Sequence, residues 1–212
     1  MARKVSLVCG ILSSLLYVVM NVLGAMQWES YDTASQTVSE LSSISAPSRP
    51  LWVLLGTVYQ VLVIVFGWGV FASAGRNRAL RIVGGLLLAY GVIGLMAPFV
   101  PKHQRGAEGT LTDTLHKALT MVTVLLMLAA IGFGAAAFGK RFRLYSIATI
   151  VILLVFGALT SLDIPRLEAN QPTPWVGVNE RINIGVFLLW VVVVAIALLR
   201  APDTPAGGSD SR

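Results

Sequence analysis

Eight polar residues with the chemistry to act on a ligand lie near the ends of long apolar segments. They are Ser39, Glu40, Asp113, His116, Asp163, Asn179, Glu180 and Arg181. A Ser hydroxyl, a His base and an orienting Asp are the parts of a nucleophilic hydrolase. Ser39 or Ser42 would supply the hydroxyl, with His116 as the base and Asp113 as the orienting group, although no Gly-x-Ser-x-Gly segment accompanies either serine.

The spacing of Asp113 and His116 puts both side chains on one face of a helix. There the carboxylate would orient the imidazole, or the two would meet a cation. A zinc site takes three or four protein ligands, and His103 is the only other histidine. His116, Asp113 and His103 are therefore weak metal candidates, and we expect neither a metal nor another cofactor.

A structural role is a simpler explanation for these eight residues, here called the polar rim. Glu40, Asp113, Lys117, Glu180 and Arg181 carry charges of both signs and can pair with one another. Removing one partner of a buried ion pair destabilises a protein strongly, whether or not the pair takes part in catalysis. We favour this structural network over a catalytic site.

Two polar side chains lie inside the apolar segments themselves. Asn21 is near the end of the first segment, and Gln60 is close to the middle of the second. Amides at such positions usually form hydrogen bonds between helices, but intramembrane polar groups also mark functional sites. Both residues are candidates on that ground.

The composition indicates which elements must position these residues. The 212-residue chain is 56% hydrophobic and 12% charged, whereas soluble domains are about 25% charged. Its apolar segments approach the roughly 20 residues that a membrane-spanning helix needs. Backbone groups in lipid must be paired within their own segment, which favours helices. Six helices are predicted, near residues 5–27, 51–73, 82–100, 116–138, 144–162 and 182–199.

The basic residues predict how this all-α bundle lies in the plasma membrane, because Lys and Arg are retained on the cytoplasmic side. One side of the bundle carries ten of the 16 basic residues and two of the ten acidic ones. Both termini are therefore predicted to be cytoplasmic, with three helical hairpins facing outward. Residues 1–200 form the membrane domain, and residues 201–212 are expected to be a disordered cytoplasmic tail. The net charge of +6 needs no nucleic-acid partner.

The predicted outer loops, 28–50, 101–115 and 163–181, are much longer than the cytoplasmic turns. In the first of them, Thr37 and Glu40 have the spacing of a capping box, which starts a helix. Val38, Leu41 and Ile44 then recur at helical spacing. We therefore expect a short amphipathic helix against the outer end of the bundle.

Three short motifs on the outer rim resemble those of a known family. They are Ser39-Glu40-Leu41-Ser42, Asp113-Thr114-Leu115-His116 and Asn179-Glu180-Arg181. With six spans of this length, the chain resembles the domain-of-unknown-function 998 family of prokaryotic membrane proteins over roughly residues 5–199. This resemblance implies a multi-pass membrane protein and no established activity. A more remote similarity to ceramidase-type hydrolases lacks their set of several histidines.

The function predicted from these features is binding, sensing or scaffolding at the extracytoplasmic face, without enzymatic activity. Membrane lipids are the expected partners, together with a small ligand or lipid bound at the outer rim. The alternative is a membrane-embedded lipid hydrolase that uses His116 and Asp113. A small-solute transporter would require charged or broken helices near the midplane, and Gln60 alone supports it weakly.

Overall fold

The described part of the chain folds into six long helices and several short ones. The computed structural model describes residues 1–201, and that range contains no β-strand. Six helical segments are long and apolar enough to cross a membrane, which confirms the predicted all-α membrane bundle. The long helices are α1 (Ala2–Met26), α2 (Arg49–Ser73), α3 (Arg78–Gly94), α4 (Leu111–Ala137), α5 (Lys140–Leu162) and α7 (Val176–Arg200), and the short α6 spans Ile164–Glu168. The predicted tail beyond Ala201 lies outside the described residues.

The long helices form a closed ring. Each of α1 to α5 packs against the next long helix in the chain, and α7 returns to α1. Glycine allows the closest of these approaches. A Cβ atom on Gly84 of α3 would lie only 2.5 Å from the backbone nitrogen of Phe71 in α2.

The two ends of the ring differ. At one end, here called the short-turn end, residues 74–77 join α2 to α3 and residues 138–139 join α4 to α5. The Asn77 amide donates a hydrogen bond to the Ala137 carbonyl across these turns, at 3.0 Å. Large side chains such as Phe66 and Trp190 fill the bundle on this side, and the Trp190 indole N–H is 3.1 Å from Ser146 Oγ.

At the other end, here called the loop-capped end, residues 27–48, 95–110 and 169–175 connect the helices. The predicted amphipathic helix is a 3-10 helix, Val38–Ser42, whose Val38 and Leu41 side chains are buried. Its predicted capping box is present, and the Thr37 N–H donates to Glu40 Oε2 at 2.7 Å.

Several helix bounds at this end differ from the predicted ones. The predicted start at residue 116 is wrong, because a second capping box, between Thr110 and Asp113, begins α4 at Leu111. The predicted end at residue 100 agrees with the membrane-crossing segment Arg78–Phe99, although the α-helical part, α3, stops at Gly94 and a short 3-10 helix containing Pro98 follows. Proline cannot donate the next helical hydrogen bond.

Candidate functional site

The three segments of the loop-capped end are joined by hydrogen bonds to backbone carbonyls. The Ile44 N–H donates to the Lys102 carbonyl at 2.8 Å, which links the first two segments. The Thr173 hydroxyl donates to the Ser35 carbonyl at 3.0 Å, which links the first and third. These contacts form a cap over the helix ends, from residues far apart in the sequence.

A buried ion pair lies at the centre of the cap. Arg105 donates to both carboxylate oxygens of Glu40, with Nε–Oε1 at 2.8 Å and Nη2–Oε2 at 3.0 Å. The Glu40 side chain is only 1% exposed. Burial alone would raise its pKa, but the hydrogen bonds from Arg105 and Thr37 and the charge of Lys102 outweigh burial and lower it. This pair holds the second loop segment onto the first.

Lys102, three residues before Arg105, is held differently. Its Nζ lies 3.2 Å from Ser39 Oγ and 3.4 Å from Thr37 Oγ1. In the described part of the chain, no carboxylate lies within ion-pair distance of this nitrogen. Burial lowers the pKa of the Lys102 ammonium, and the nearby charge of Glu40 opposes that shift. Lys102 is therefore a desolvated basic group in contact with two hydroxyls.

The expected pairing of Asp113 with His116 is wrong. The Asp113 carboxylate accepts from the His103 backbone N–H at 2.7 Å, and its other oxygen is 2.8 Å from His103 Nδ1. It also accepts from the Thr110 N–H at 2.9 Å, as the second half of the α4 capping box. His116 Nδ1 instead lies 3.0 Å from the Val100 carbonyl oxygen. Both side chains thus fasten the loop before α4.

The start of α7 is fastened to the first loop in the same way. Glu180 accepts a short hydrogen bond from the Val38 N–H. Arg181 donates to the Thr33 carbonyl at 2.7 Å and to Tyr31 Oη at 2.6 Å. Burial raises the pKa of Tyr31 to about 12, although the Arg181 charge acts in the opposite direction. Arg181 therefore joins α7 to the first loop.

Two predicted rim residues lie apart from this cluster. Asp163 follows the end of α5, and its carboxylate is 3.5 Å from Arg166 one turn later. Asn179 belongs to the first turn of α7, where its backbone N–H donates to the Trp175 carbonyl at 2.9 Å. Neither residue lines the cavity described next.

A cavity of about 1030 Å³ lies inside the ring beneath the cap. This volume is at the upper end of the roughly 300 to 1,000 Å³ of small-molecule sites. Its polar end is formed by Ser39, Lys102, His103, Asp113, His116 and Glu180, and the walls below include Met20, Val124 and Phe187. Five of these six polar residues are ones that the sequence singled out, and the fold brings them to one side of a single cavity.

The two intramembrane amides lie in different places. Gln60 lines the cavity, and its Oε1 is buried without a hydrogen-bond partner. Asn21 lines a separate groove of about 430 Å³ between α1 and α7. Its amide nitrogen donates to the Tyr17 carbonyl at 3.2 Å, whereas its oxygen is buried and unpaired. Of the two predicted amides, only Gln60 is positioned to meet a molecule in the main cavity.

The protonatable side chains of the site do not form a metal cage. Among residues 1–201, no group of three or more His, Cys, Asp and Glu side chains is placed to hold a metal ion. His103 and Asp113 contact each other, and His116 contacts a backbone carbonyl. The chemistry that these residues offer is therefore hydrogen bonding and proton transfer.

Lys102 and Arg105 were not among the site residues predicted from the sequence. They counted only toward the charge of the predicted outer side of the bundle, where most of the acidic residues lie. The positive-inside rule predicts few basic residues in the outer loops, so basic residues found there are a signal of a functional or structural contact. Such residues are candidates for a specific partner, and here the partners are Glu40 for Arg105 and Ser39 for Lys102.

Six membrane-crossing helices around an internal cavity define a multi-pass membrane protein. The chain belongs to the family described as "Protein of unknown function (DUF998)", which it matches over residues 11–197. This match confirms the family that the rim motifs resemble. No curated protein and no solved structure matches the chain.

Proposed function

We propose that the protein binds an amphipathic, lipid-like molecule in the cavity beneath the cap. The observation that carries this proposal is the distribution of polarity within one space. Charged side chains are concentrated at the capped end, and the walls below carry apolar side chains such as Phe187 together with uncharged polar ones such as Gln60. A ligand with a polar head and a hydrocarbon tail matches that distribution, because each part would meet groups of its own kind.

The exposure of the α4 and α5 side chains supports entry from the lipid phase. Met121 and Leu154 both line the cavity, and they are 61% and 52% exposed. Apolar residues so exposed on a membrane-spanning helix face hydrocarbon rather than water. A lipid-like ligand would therefore reach the cavity between α4 and α5 without leaving the membrane.

The charge distribution supports an extracytoplasmic position for the cap. The short-turn end carries most basic residues, including Arg76, Arg78, Lys140 and Arg141. By the positive-inside rule this end faces the cytoplasm of a plasma membrane, together with both termini. The proposed site would then sense or bind its ligand at the outer leaflet.

Filling the cavity tests the proposal. Ala158 and Ala148 are both exposed on α5, but only Ala158 lines the cavity. We expect Ala158→Trp to weaken the binding of dansyl-undecanoic acid to the purified protein by roughly tenfold or more, since the indole occupies the tail's space. Fluorescence titration in detergent measures this affinity.

The matched control is Ala148→Trp, which adds the same side chain on the lipid-facing surface. We expect its affinity to equal that of the wild type. Equal affinity in the wild type and both variants would contradict a ligand in this cavity. Melting curves show whether each variant remains folded.

A further inference from the structure

We infer that Ser39 and Lys102 form a nucleophile–base pair that hydrolyses an ester bond in the head region of the bound molecule. This inference rests on the proposed function, because the cavity must first hold the amphipathic substrate. Ser39 Oγ and Lys102 Nζ are 3.2 Å apart, and both residues line the polar end of the cavity. A nucleophile within hydrogen-bond reach of a base is the geometric requirement for covalent catalysis.

Ser35 of the same loop donates to the Asp32 carboxylate at 2.6 Å, but neither of these residues lines the cavity, and three further serines do not meet a base. Ser42 Oγ donates to the Ser39 carbonyl at 3.0 Å, and Ser43 Oγ donates to the Glu40 carbonyl at 2.7 Å. Ser48 Oγ donates to the Leu41 carbonyl at 2.8 Å. Their hydroxyls therefore serve the local backbone, whereas the Ser39 hydroxyl faces an amine.

A second hydroxyl in contact with Lys102, that of Thr37, positions the base. Thr37 Oγ1 lies 3.4 Å from Lys102 Nζ and donates to Glu40 Oε2 at 2.8 Å. Glu40 is fixed in turn by Arg105. Ser39 is thus the nucleophile and Lys102 the base, and Thr37 and Glu40 position the base. This is the arrangement expected of a serine–lysine site.

The surroundings of Lys102 determine whether its amine can accept a proton. Glu40, Glu180 and Asp113 favour the ammonium form, and Arg105 disfavours it. Burial is the largest effect, and the pKa of Lys102 is lowered overall. The Glu40 charge is also compensated by the bidentate Arg105 contact. A larger fraction of neutral amine is therefore available than for an exposed lysine.

The reaction proceeds in two balanced steps. Ser39 Oγ attacks the ester carbonyl carbon while its proton passes to the neutral Lys102 amine. The carbonyl–oxygen bond to the leaving alcohol then breaks, and the Lys102 ammonium protonates that oxygen, which leaves an acyl-Ser39. Water attacks the acyl carbon, Lys102 takes the water proton and returns it to Ser39 Oγ, and a carboxylic acid departs.

This pair differs from the hydrolase predicted from the sequence. Ser39 was a candidate nucleophile there, but His116 was the expected base. His116 Nδ1 contacts the Val100 carbonyl, and Lys102 occupies the position next to Ser39. The substrate class stays the same, an ester of a lipid-like molecule, and only the base changes.

A covalent probe tests the inference directly. The purified full-length protein is incubated with a fluorophosphonate carrying an alkyl chain, and peptide mass spectrometry locates the modified residue. We expect modification at Ser39 in the folded protein and none after denaturation. The labelling rate should rise with pH as Lys102 loses its proton. Absence of label on Ser39, or equal label on Ser42, would overturn the inference.

Variants separate catalysis from binding and folding. Ser39→Ala should abolish the labelling and the hydrolysis of a nitrophenyl fatty-acyl ester, while Ser42→Ala should retain both. Lys102→Met should lower both rates by roughly a hundredfold or more. Dansyl-undecanoic acid binding should persist in Ser39→Ala. Binding without labelling in the wild type would overturn the serine–lysine pair alone, whereas labelling of Ser39 together with wild-type affinity in Ala158→Trp would overturn the proposed cavity alone.

Discussion

The two ends of the helix ring are built on different physical principles. At the short-turn end, helices pack closely at glycines, such as Gly84 against Phe71 and Gly134 against Trp190. Large side chains fill the space between the helices there. At the loop-capped end, the helices enclose a cavity, and hydrogen bonds and an ion pair close it. Close packing leaves no room for a ligand. Of the two ends, only the loop-capped end therefore has space for the ligand that we propose.

The same division appears within the cap, between two neighbouring basic residues. Arg105 pairs with a buried carboxylate, whereas Lys102 contacts hydroxyls and lines the cavity. Arginine binds a carboxylate through two parallel hydrogen bonds, and lysine changes its protonation more readily when it is buried. One residue is thus suited to hold the loops together and the other to act on a ligand.

The largest expected effect comes from removing the cap's ion pair. Arg105→Met leaves the Glu40 carboxylate buried without its ion-pair partner, which should lower the free energy of unfolding by about 3 to 5 kcal/mol. Thermal melting in detergent measures the change. This result would show that the loop-capped end depends on one contact rather than on packing.

Lys117→Met is the control for that experiment. Lys117 pairs with Glu168, but the two side chains are 58% and 55% exposed. Exposed pairs contribute about 0 to 1 kcal/mol. If both variants lowered the melting temperature equally, burial would not be what distinguishes the Arg105 pair.

A smaller effect is expected at the short-turn end from a single methyl group. Gly84→Ala would place Cβ against the Phe71 backbone and should destabilise the bundle by about 1 to 3 kcal/mol. Gly85 is the matched control, because a Cβ atom there meets nothing within 4 Å. Gly85→Ala should leave the melting temperature unchanged or raise it slightly, since alanine favours helix. Similar melting of both variants would contradict close packing at this end.

The smallest expected effect is a change of stability with pH, which should occur for a cap variant and not for a short-turn-end variant. The pKa of Glu40 is lower in the folded protein than its ordinary value of 4.5. Its contribution is therefore complete above that value and is lost as the pH falls through the folded pKa. The difference in melting temperature between the wild type and Glu40→Gln should narrow as the pH falls below 4.5.

Gly84→Ala serves as the reference for the acid titration, because its defect involves no ionisable group. Its difference from the wild type should stay constant over the same pH range. A constant difference for Glu40→Gln as well would mean that the Glu40 charge does not stabilise the cap.

Local sequence signals predicted the parts of the fold that depend on near neighbours. The capping box at Thr37 and Glu40 joins residues three positions apart, and the structure contains it. Asp113 shows the limit of the same reasoning. Its spacing correctly placed it near His116 on α4, but the loop before the helix brings His103 to its carboxylate instead. Spacing along a helix predicts a shared face and does not predict which partner the rest of the chain supplies.

By itself, the sequence determined that this protein has six apolar helices, because each segment's length and hydrophobicity are properties of that segment alone. It also determined that polar residues gather near the helix ends. Only the tertiary structure decided that Arg105 meets Glu40 and that Lys102 meets Ser39, at 65 and 63 positions apart in the chain. Contacts over such separations depend on how helices pack and loops fold back, so no local pattern encodes them.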